Sequence, residues 1–141
     1  AVPGAIAAHL VAATTGSDAD WIVKLIDVYP DSLASPMGGF ELMVANDVLR
    51  GRYLESFSKP RALVPGKVEK FTVDMHTQEY TFLRGHRIMV QVQSSWFPLA
   101  DRNPQTFVDI YNAKASDFKK ATERVYPSRT AASRVIISVM P

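Results

Sequence analysis

Along much of the chain apolar and polar side chains alternate, the period of a strand with one face buried and the other in water. Phe71, Val73 and Met75 alternate with Thr72 and Asp74. Ile88, Val90 and Val92 alternate with Arg87, Gln91 and Gln93, interrupted only by Met89. Phe40, Leu42 and Val44 alternate less cleanly around Glu41, and Val135, Ile137 and Val139 alternate around Ile136 and Ser138. These are four half-buried strands. Residues 6–13 are small and apolar, and residues 21–29 are β-branched and aromatic with only Lys24 and Asp27 charged. Both read as strands covered on both faces. Residues 123–126 supply one more short strand.

Turn chemistry separates these runs at Thr15-Gly16-Ser17-Asp18, Pro30-Asp31-Ser32, Pro36-Met37-Gly38-Gly39, Pro65-Gly66 and Arg84-Gly85. One stretch is helix-like, residues 116–121, where Ser116 is placed to cap Asp117-Phe118-Lys119-Lys120. Residues 98–115 read as a long loop. About seven short strands, little helix and many Gly/Pro turns predict an all-β, antiparallel two-sheet sandwich.

Length changes this picture only by limiting it to one domain, since 141 residues are enough for a single core. Hydrophobic residues at 47% and charged residues at 21% fit a globular chain, and a formal charge of +2 is too small for electrostatic nucleic-acid binding. With no cysteine, neither disulfides nor thiolate chemistry arise. No Lys or Arg precedes Lys24, so a basic signal-peptide start is missing, and His9 and Gly16 interrupt any membrane-length apolar run. Neither nucleic acid nor membrane is an expected partner. A chain that starts directly in a strand reads as part of a larger protein.

Catalytic signatures are absent from these residues. No G-x-S-x-G places a nucleophilic serine on a strand-to-helix turn, and no glycine-rich loop cradles a phosphate. His9, His76 and His86 lie in separate segments without metal-ligand spacing, so hydrogen-bonding roles are expected of them. Asp18-Ala19-Asp20 has a calcium-like spacing, but turn aspartates commonly bond their own backbone. Lys114, Lys119, Lys120, Arg124, Arg129 and Arg134 read as solvated edge charges. Trp21 sits among apolar neighbours and belongs to the core. Trp96, where a strand gives way to a loop, is assigned to packing or an interface in preference to stacking on a sugar.

Several blocks carry a resemblance to a known family. They are Gly85-His86-Arg87-Ile88-Met89-Val90-Gln91-Val92-Gln93-Ser94-Ser95, then Phe97-Pro98 and Asp101-Arg102-Asn103-Pro104. Asp18 to Pro30, Arg50-Gly51-Arg52-Tyr53, Pro65-Gly66 and Ser133-Arg134-Val135-Ile136 extend the match over nearly the whole chain. Together they resemble the C-terminal domain shared by X-Pro dipeptidyl-peptidases, cocaine esterase, glutaryl-7-aminocephalosporanic acid acylases and α-amino-acid ester hydrolases. Trp96-Phe97-Pro98 and Ser116-Asp117-Phe118-Lys119-Lys120-Ala121-Thr122 look most like the ester hydrolase and acylase branch.

The resemblance implies a jelly roll of the galactose-binding type that lacks its first strands here, leaving a sheet without an edge or a neighbour. It implies a parent serine hydrolase acting on ester or amide bonds, whose Ser-His-Asp triad lies on a separate α/β-hydrolase domain. No catalytic residue and no cofactor carry over to this chain. The expected partner is that catalytic domain, with homo-oligomerisation open and an exported, periplasmic or secreted location favoured. Arg87, Asp101 and Arg102 are candidates for a hydrogen-bonded brace by their charge and loop positions, with Trp96 beside them as an interface residue; capping of strand ends is the competing role. The alternative class is a carbohydrate-binding module, because jelly rolls also serve that function.

Overall fold

The computed structural model describes residues 1–130 and 132–140. Its strands are β1 (Val2–Thr14), β2 (Asp20–Val28), β3 (Glu41–Arg50), β4 (Glu69–Tyr80), β5 (Arg87–Gln93), β6 (Glu123–Val125) and β7 (Arg134–Ile136). Two antiparallel sheets result. In one, β1 lies between β4 on one side and β6 and β7 on the other; in the second, β2 lies between β3 and β5. Most connections cross from one sheet to the other, the wrapping expected of a jelly roll. The two-sheet sandwich read from the alternation is the observed architecture.

The core draws on the β4 row that alternation singles out and on the two apolar runs that form β1 and β2. Val2, Ile6, Ala8, Leu10 and Ala12 line the inner face of β1, and Phe71, Val73 and Met75 that of β4. From the facing sheet Trp21, Val23 and Leu25 meet them, with Trp21 tilted against Phe71 at 5.2 Å between ring centroids. Nearly all of β2 is buried on both faces, as its continuous apolar run requires.

Two bulges reset the alternation. Ala5 pairs with Thr77 but Ala7 with Asp74, so β4 carries an extra residue; there His76 adopts φ 63° and its amide donates to Asp74 Oδ1 at 2.9 Å. In β3 the extra residue is Val44, because Leu25 pairs with Ala45 and Ile26 with Met43. The row Phe40, Leu42, Val44 therefore does not define the buried face of the whole strand. Beyond the bulge the odd residues Ala45 and Leu49 take over the core, and Phe40 is exposed.

Other expectations shift in detail. Residues 116–121 form no helix; a three-residue 3-10 turn covers Ala115–Asp117 instead. Asp117, not Ser116, supplies the cap, its Oδ2 accepting from the Lys114 amide at 2.8 Å. The Lys119 amide is claimed by the Pro104 carbonyl at 2.9 Å, which ends any helical continuation. At the C-terminal end Val135 and Ile137 pack on the core, whereas Val139 lies outside β7 and is exposed. β6 and β7 form one interrupted edge along β1. Between them the chain leaves the sheet, and Ser133 repairs the gap by accepting from the Val11 amide at 2.9 Å.

Candidate domain interface

Between β5 and β6 the chain runs for almost thirty residues without a strand, and this segment is held in place from beneath. The anchor begins at the turn before β2. Asp18 is fully buried, and its Oδ1 accepts from the Ala19 and Arg52 amides at 3.0 and 3.1 Å. The Arg52 guanidinium grips Oδ2 through Nε at 2.8 Å and Nη2 at 2.7 Å. Two guanidinium donors on one oxygen and two amides on the other satisfy a buried carboxylate that would otherwise be costly to desolvate. The same Nη2 donates to the Val108 carbonyl at 2.8 Å, and the guanidinium lies 4.9 Å from the Phe107 ring centroid. One buried ion pair thus clamps the middle of the loop.

A second clamp uses Asp20, whose Oδ1 accepts from Asn103 Nδ2 at 2.8 Å while Arg50 Nε stands 3.7 Å from Oδ2. Burial pushes the Asp20 carboxyl up to about 6, against the opposing effects of the Asn103 hydrogen bond and the Arg50 charge. Asn103 Oδ1 in turn accepts from the Gln105 amide at 2.8 Å. The Gln105 carbonyl receives the Ser17 amide at 3.1 Å, so closely over Gly16 that a Cβ there would collide with it. With its amide nitrogen facing acceptors, Gln105 donates to Glu123 Oε1 at 3.0 Å and to the Asp18 carbonyl at 3.2 Å. Among the described residues no ion pair involves Glu123; burial first, and then the charges of Asp20 and Asp18, raise its carboxyl to about 7, against the Gln105 hydrogen bond.

The anchored loop presents an apolar, partly charged surface. Phe97, Leu99 and Tyr111 are exposed at 65%, 71% and 86%. Phe97, Ile110, Ala115 and Phe118 form a hollow of about 490 Å³ together with Asp101 and Arg102. The Arg102 guanidinium lies 5.1 Å from the Phe118 ring centroid, a cation–π distance. The Asp101 carbonyl accepts from Arg50 Nη2 at 3.2 Å. No ion pair joins the Asp101 carboxylate or the Arg102 guanidinium to another of the described residues.

Of the four residues singled out in the sequence, Asp101 and Arg102 share this hollow. Trp96 lies just before it and packs beneath the Lys24 ammonium of β2, 4.0 Å from the ring centroid. Arg87 is elsewhere: it opens β5 opposite Val28, whereas the loop leaves the other end of that strand, where Gln93 pairs with Ile22. Asp18, Arg52 and Asn103, which hold the loop, were not singled out as site residues. The signal was there in part, as aspartates beside apolar runs must find partners when buried.

The three histidines stay apart. His9 meets Thr72 Oγ1 at 3.0 Å and His76 meets Asp47 Oδ2 at 3.1 Å. His86 Nδ1 lies 2.9 Å from Oδ2 of the fully buried Asp27, which also accepts from the Tyr80 hydroxyl at 2.7 Å. That hydrogen bond, with burial behind it, raises the phenol above its ordinary range. Asp27 sits on β2 and Tyr80 on β4, so the contact ties one sheet to the other rather than serving a nucleophile.

Comparison with known proteins agrees with this architecture. Residues 1–136 match the X-Pro dipeptidyl-peptidase C-terminal non-catalytic domain. Cocaine esterase of Rhodococcus sp. (strain MB1 Bresler) is 31% identical over 139 residues, which are 99% of this chain and 23% of that protein. A crystal structure of an aminopeptidase from a marine sediment archaeon, Thaumarchaeota archaeon, superposes with a TM-score of 0.94 at 48% identity, covering 99% of this chain and 23% of the other. An α-amino acid ester hydrolase structure gives a TM-score of 0.90 at 51% identity over 96% of this chain, again 23% of the other. The chain thus spans about a quarter of each of these proteins, and it belongs to the family of X-Pro dipeptidyl-peptidase C-terminal non-catalytic domains.

Proposed function

We propose that this domain belongs to a serine hydrolase acting on ester or amide bonds of small acyl groups, and that the surface of its long loop docks on the catalytic α/β-hydrolase domain of the same polypeptide. The observation that carries the reading is an apolar surface on a loop with buried ionic anchors. A loop free in water gains little from two desolvated aspartates beneath it, whereas a preorganised surface binds without first having to be ordered. Phe97, Leu99 and Tyr111 supply the aromatic and aliphatic anchors typical of an interface centre. Asp101 and Arg102, next to them, supply charges open to partners across the boundary. Fixing this boundary would hold the rim of the active-site cleft, while the acyl-serine chemistry remains on the other domain.

Exchange of Arg102 for Glu in the full-length parent tests the reading. The expected result is a lower thermal midpoint, equivalent to a loss of about 1.5–3 kcal/mol for a charged interface hydrogen bond, with a fall in kcat/KM. Unchanged stability together with unchanged turnover would remove the loop from the interface.

A further inference from the structure

The sheet built from β4, β1 and β7 has an outer face on which positive charge collects. His9 pairs with Thr72 on one side and with Arg134 on the other, so these residues form one row across the strands. Lys70 pairs with Val11 and stands on the same face, two residues along β4 from Thr72. Between β6 and β7 the chain leaves the sheet and closes on itself through a bridge of Pro127 to Ala132, carrying Arg129 and Thr130 in between. His9, Lys70, Thr72, Arg129, Thr130 and Arg134 together line a hollow of about 370 Å³.

Lys70, Arg129 and Arg134 are cations, and no carboxylate lines the hollow with them. No ion pair joins any of them to another described residue. Asp74, the next acidic residue along this face of β4, pairs in register with Ala7, and its Oδ1 accepts from the His76 amide; it lies outside the lining. The whole chain has a formal charge of only +2, so this local excess is not the average of a basic surface. Like charges gathered in one concavity repel until an anion enters. Charges that merely blunt a sheet edge need no common focus. These converge from β4, from β7 and from the excursion before β7, with His9 of the central β1 beneath them.

We infer that this hollow is a binding site for a dianionic oxyanion of the phosphate or sulfate class, held by the guanidinium forks of Arg129 and Arg134 and by the Lys70 ammonium. The inference goes beyond the docking of the long loop, no residue of which lines the hollow. Charge and shape select the ligand. A carboxylate offsets one of the cations, whereas a dianion offsets two and presents tetrahedral oxygens on several sides at once. Guanidinium groups match such oxygens in pairs, and an ammonium adds charge without a fixed direction. His9 Nδ1 lies 3.0 Å from Thr72 Oγ1. With the hydroxyl donating there, the imidazole proton sits on Nε2 and is one more donor.

Two larger partners fit less well. The bases of a nucleic acid need an exposed aromatic platform, and the aromatic ring that lines the hollow, Phe71, is exposed by only 2%. A lipid surface needs apolar side chains to insert, and none of the exposed large hydrophobic residues lines the hollow.

Calorimetric titration of the full-length parent with inorganic phosphate, at an ionic strength held constant with sodium chloride, tests the assignment. Saturable binding is expected, with acetate at least about tenfold weaker. The double variant Arg129→Gln/Arg134→Gln should lose at least about tenfold in phosphate affinity, and Lys70→Gln should lose less. Inorganic sulfate and phosphoserine, titrated in parallel, separate the sources: tighter binding of phosphoserine supports a site for an oxyanion carried on a larger molecule, and tighter binding of a free ion supports a site for that ion. Absence of saturable heat overturns the inference, as does acetate binding equal to phosphate or phosphate binding that the variants leave unchanged. Thermal midpoints in chloride alone show whether each variant is folded. They are expected to match or exceed that of the unaltered parent, because removing a like charge relieves repulsion. A lower midpoint would give the cation a partner within the protein and would overturn the site.

Discussion

β4 and β5 carry the same message in sequence and meet opposite fates. Each alternates apolar and polar residues, and each turns its apolar row to the inside of the sandwich. On β4 the row Phe71, Val73, Met75 is exposed by 2%, 1% and 0%; on β5 the corresponding row is about half exposed. The difference lies in what stands across from them. β4 is covered by β3 and by the core of β2, whereas β5 looks across at the interrupted edge of β6 and β7. Alternation therefore specifies which face of a strand is apolar, and the neighbouring chain determines whether that face is dry.

The largest expected effect separates the two rows directly. Phe71→Ala should cost about 3–5 kcal/mol, the range for a fully enclosed aromatic, while Val90→Ala should cost less than about 1 kcal/mol in the 141-residue chain, because half of its side chain already meets water. Chemical denaturation of both variants measures this, and equal losses would break the comparison. Repeating Val90→Ala in the full-length parent sharpens it, since any neighbour that covers this row there would raise the cost.

A smaller effect is expected where the β4 and β5 regions are joined. Asp27 accepts from Tyr80 at the end of β4 and stands against His86 in the turn before β5. Asp27→Asn keeps the shape but removes the charge and turns one acceptor oxygen into a donor. A loss of about 1–3 kcal/mol is expected in the same denaturation experiment. No loss would mean that the turn holds its position without this tie.

A further effect, read as a slope and not as a single loss, concerns the Asp20 and Glu123 carboxyls beneath the long loop and depends on pH. The Asp20 and Glu123 carboxyls titrate in the fold at about 6 and about 7, above the ordinary values of 3.8 and 4.5. The folded state thus binds protons more tightly than the unfolded one. The resulting stabilisation is complete below the ordinary values and disappears as pH rises through the raised ones. Thermal midpoints should fall between about pH 4 and pH 7 from this source, and Glu123→Gln should flatten the part of the profile near pH 7. An identical profile for the variant would show that Glu123 ionises in the fold as it does in the unfolded chain.

Much of the sandwich was legible in the residues themselves. The β4 and β5 alternations gave strands whose inward residues could be named; the β1 and β2 runs also gave strands, β1 with its outer residues half-buried rather than covered on both faces, and the turns fell where glycine and proline stand. The bulges at Val44 and His76 were hidden, because an extra residue shows only against the partner strand that it fails to match. The helix expected around residues 116–121 failed for a related reason: Asp117 and Phe118 have adequate local preferences, but the Pro104 carbonyl takes the amide that the helix would need. Of the interface candidates, Asp101 and Arg102 adjoin in sequence and therefore stay together, whereas Arg87 is carried to the other end of β5 by seven residues of extended chain.

By itself the sequence determined most of the strands, the apolar side of β4 and β5, and the family, because all three are written in local order and spacing. Tertiary structure alone decided which buried aspartate meets which arginine, where the long loop is pinned, and which side of the sandwich stands open. Those outcomes depend on contacts between residues far apart in the chain, such as Asp18 with Arg52 and Asp20 with Asn103, and on whether a neighbour arrives to cover an apolar row. Local pattern supplies the demand for such a neighbour, and only the packed arrangement of both sheets reveals where it goes unmet.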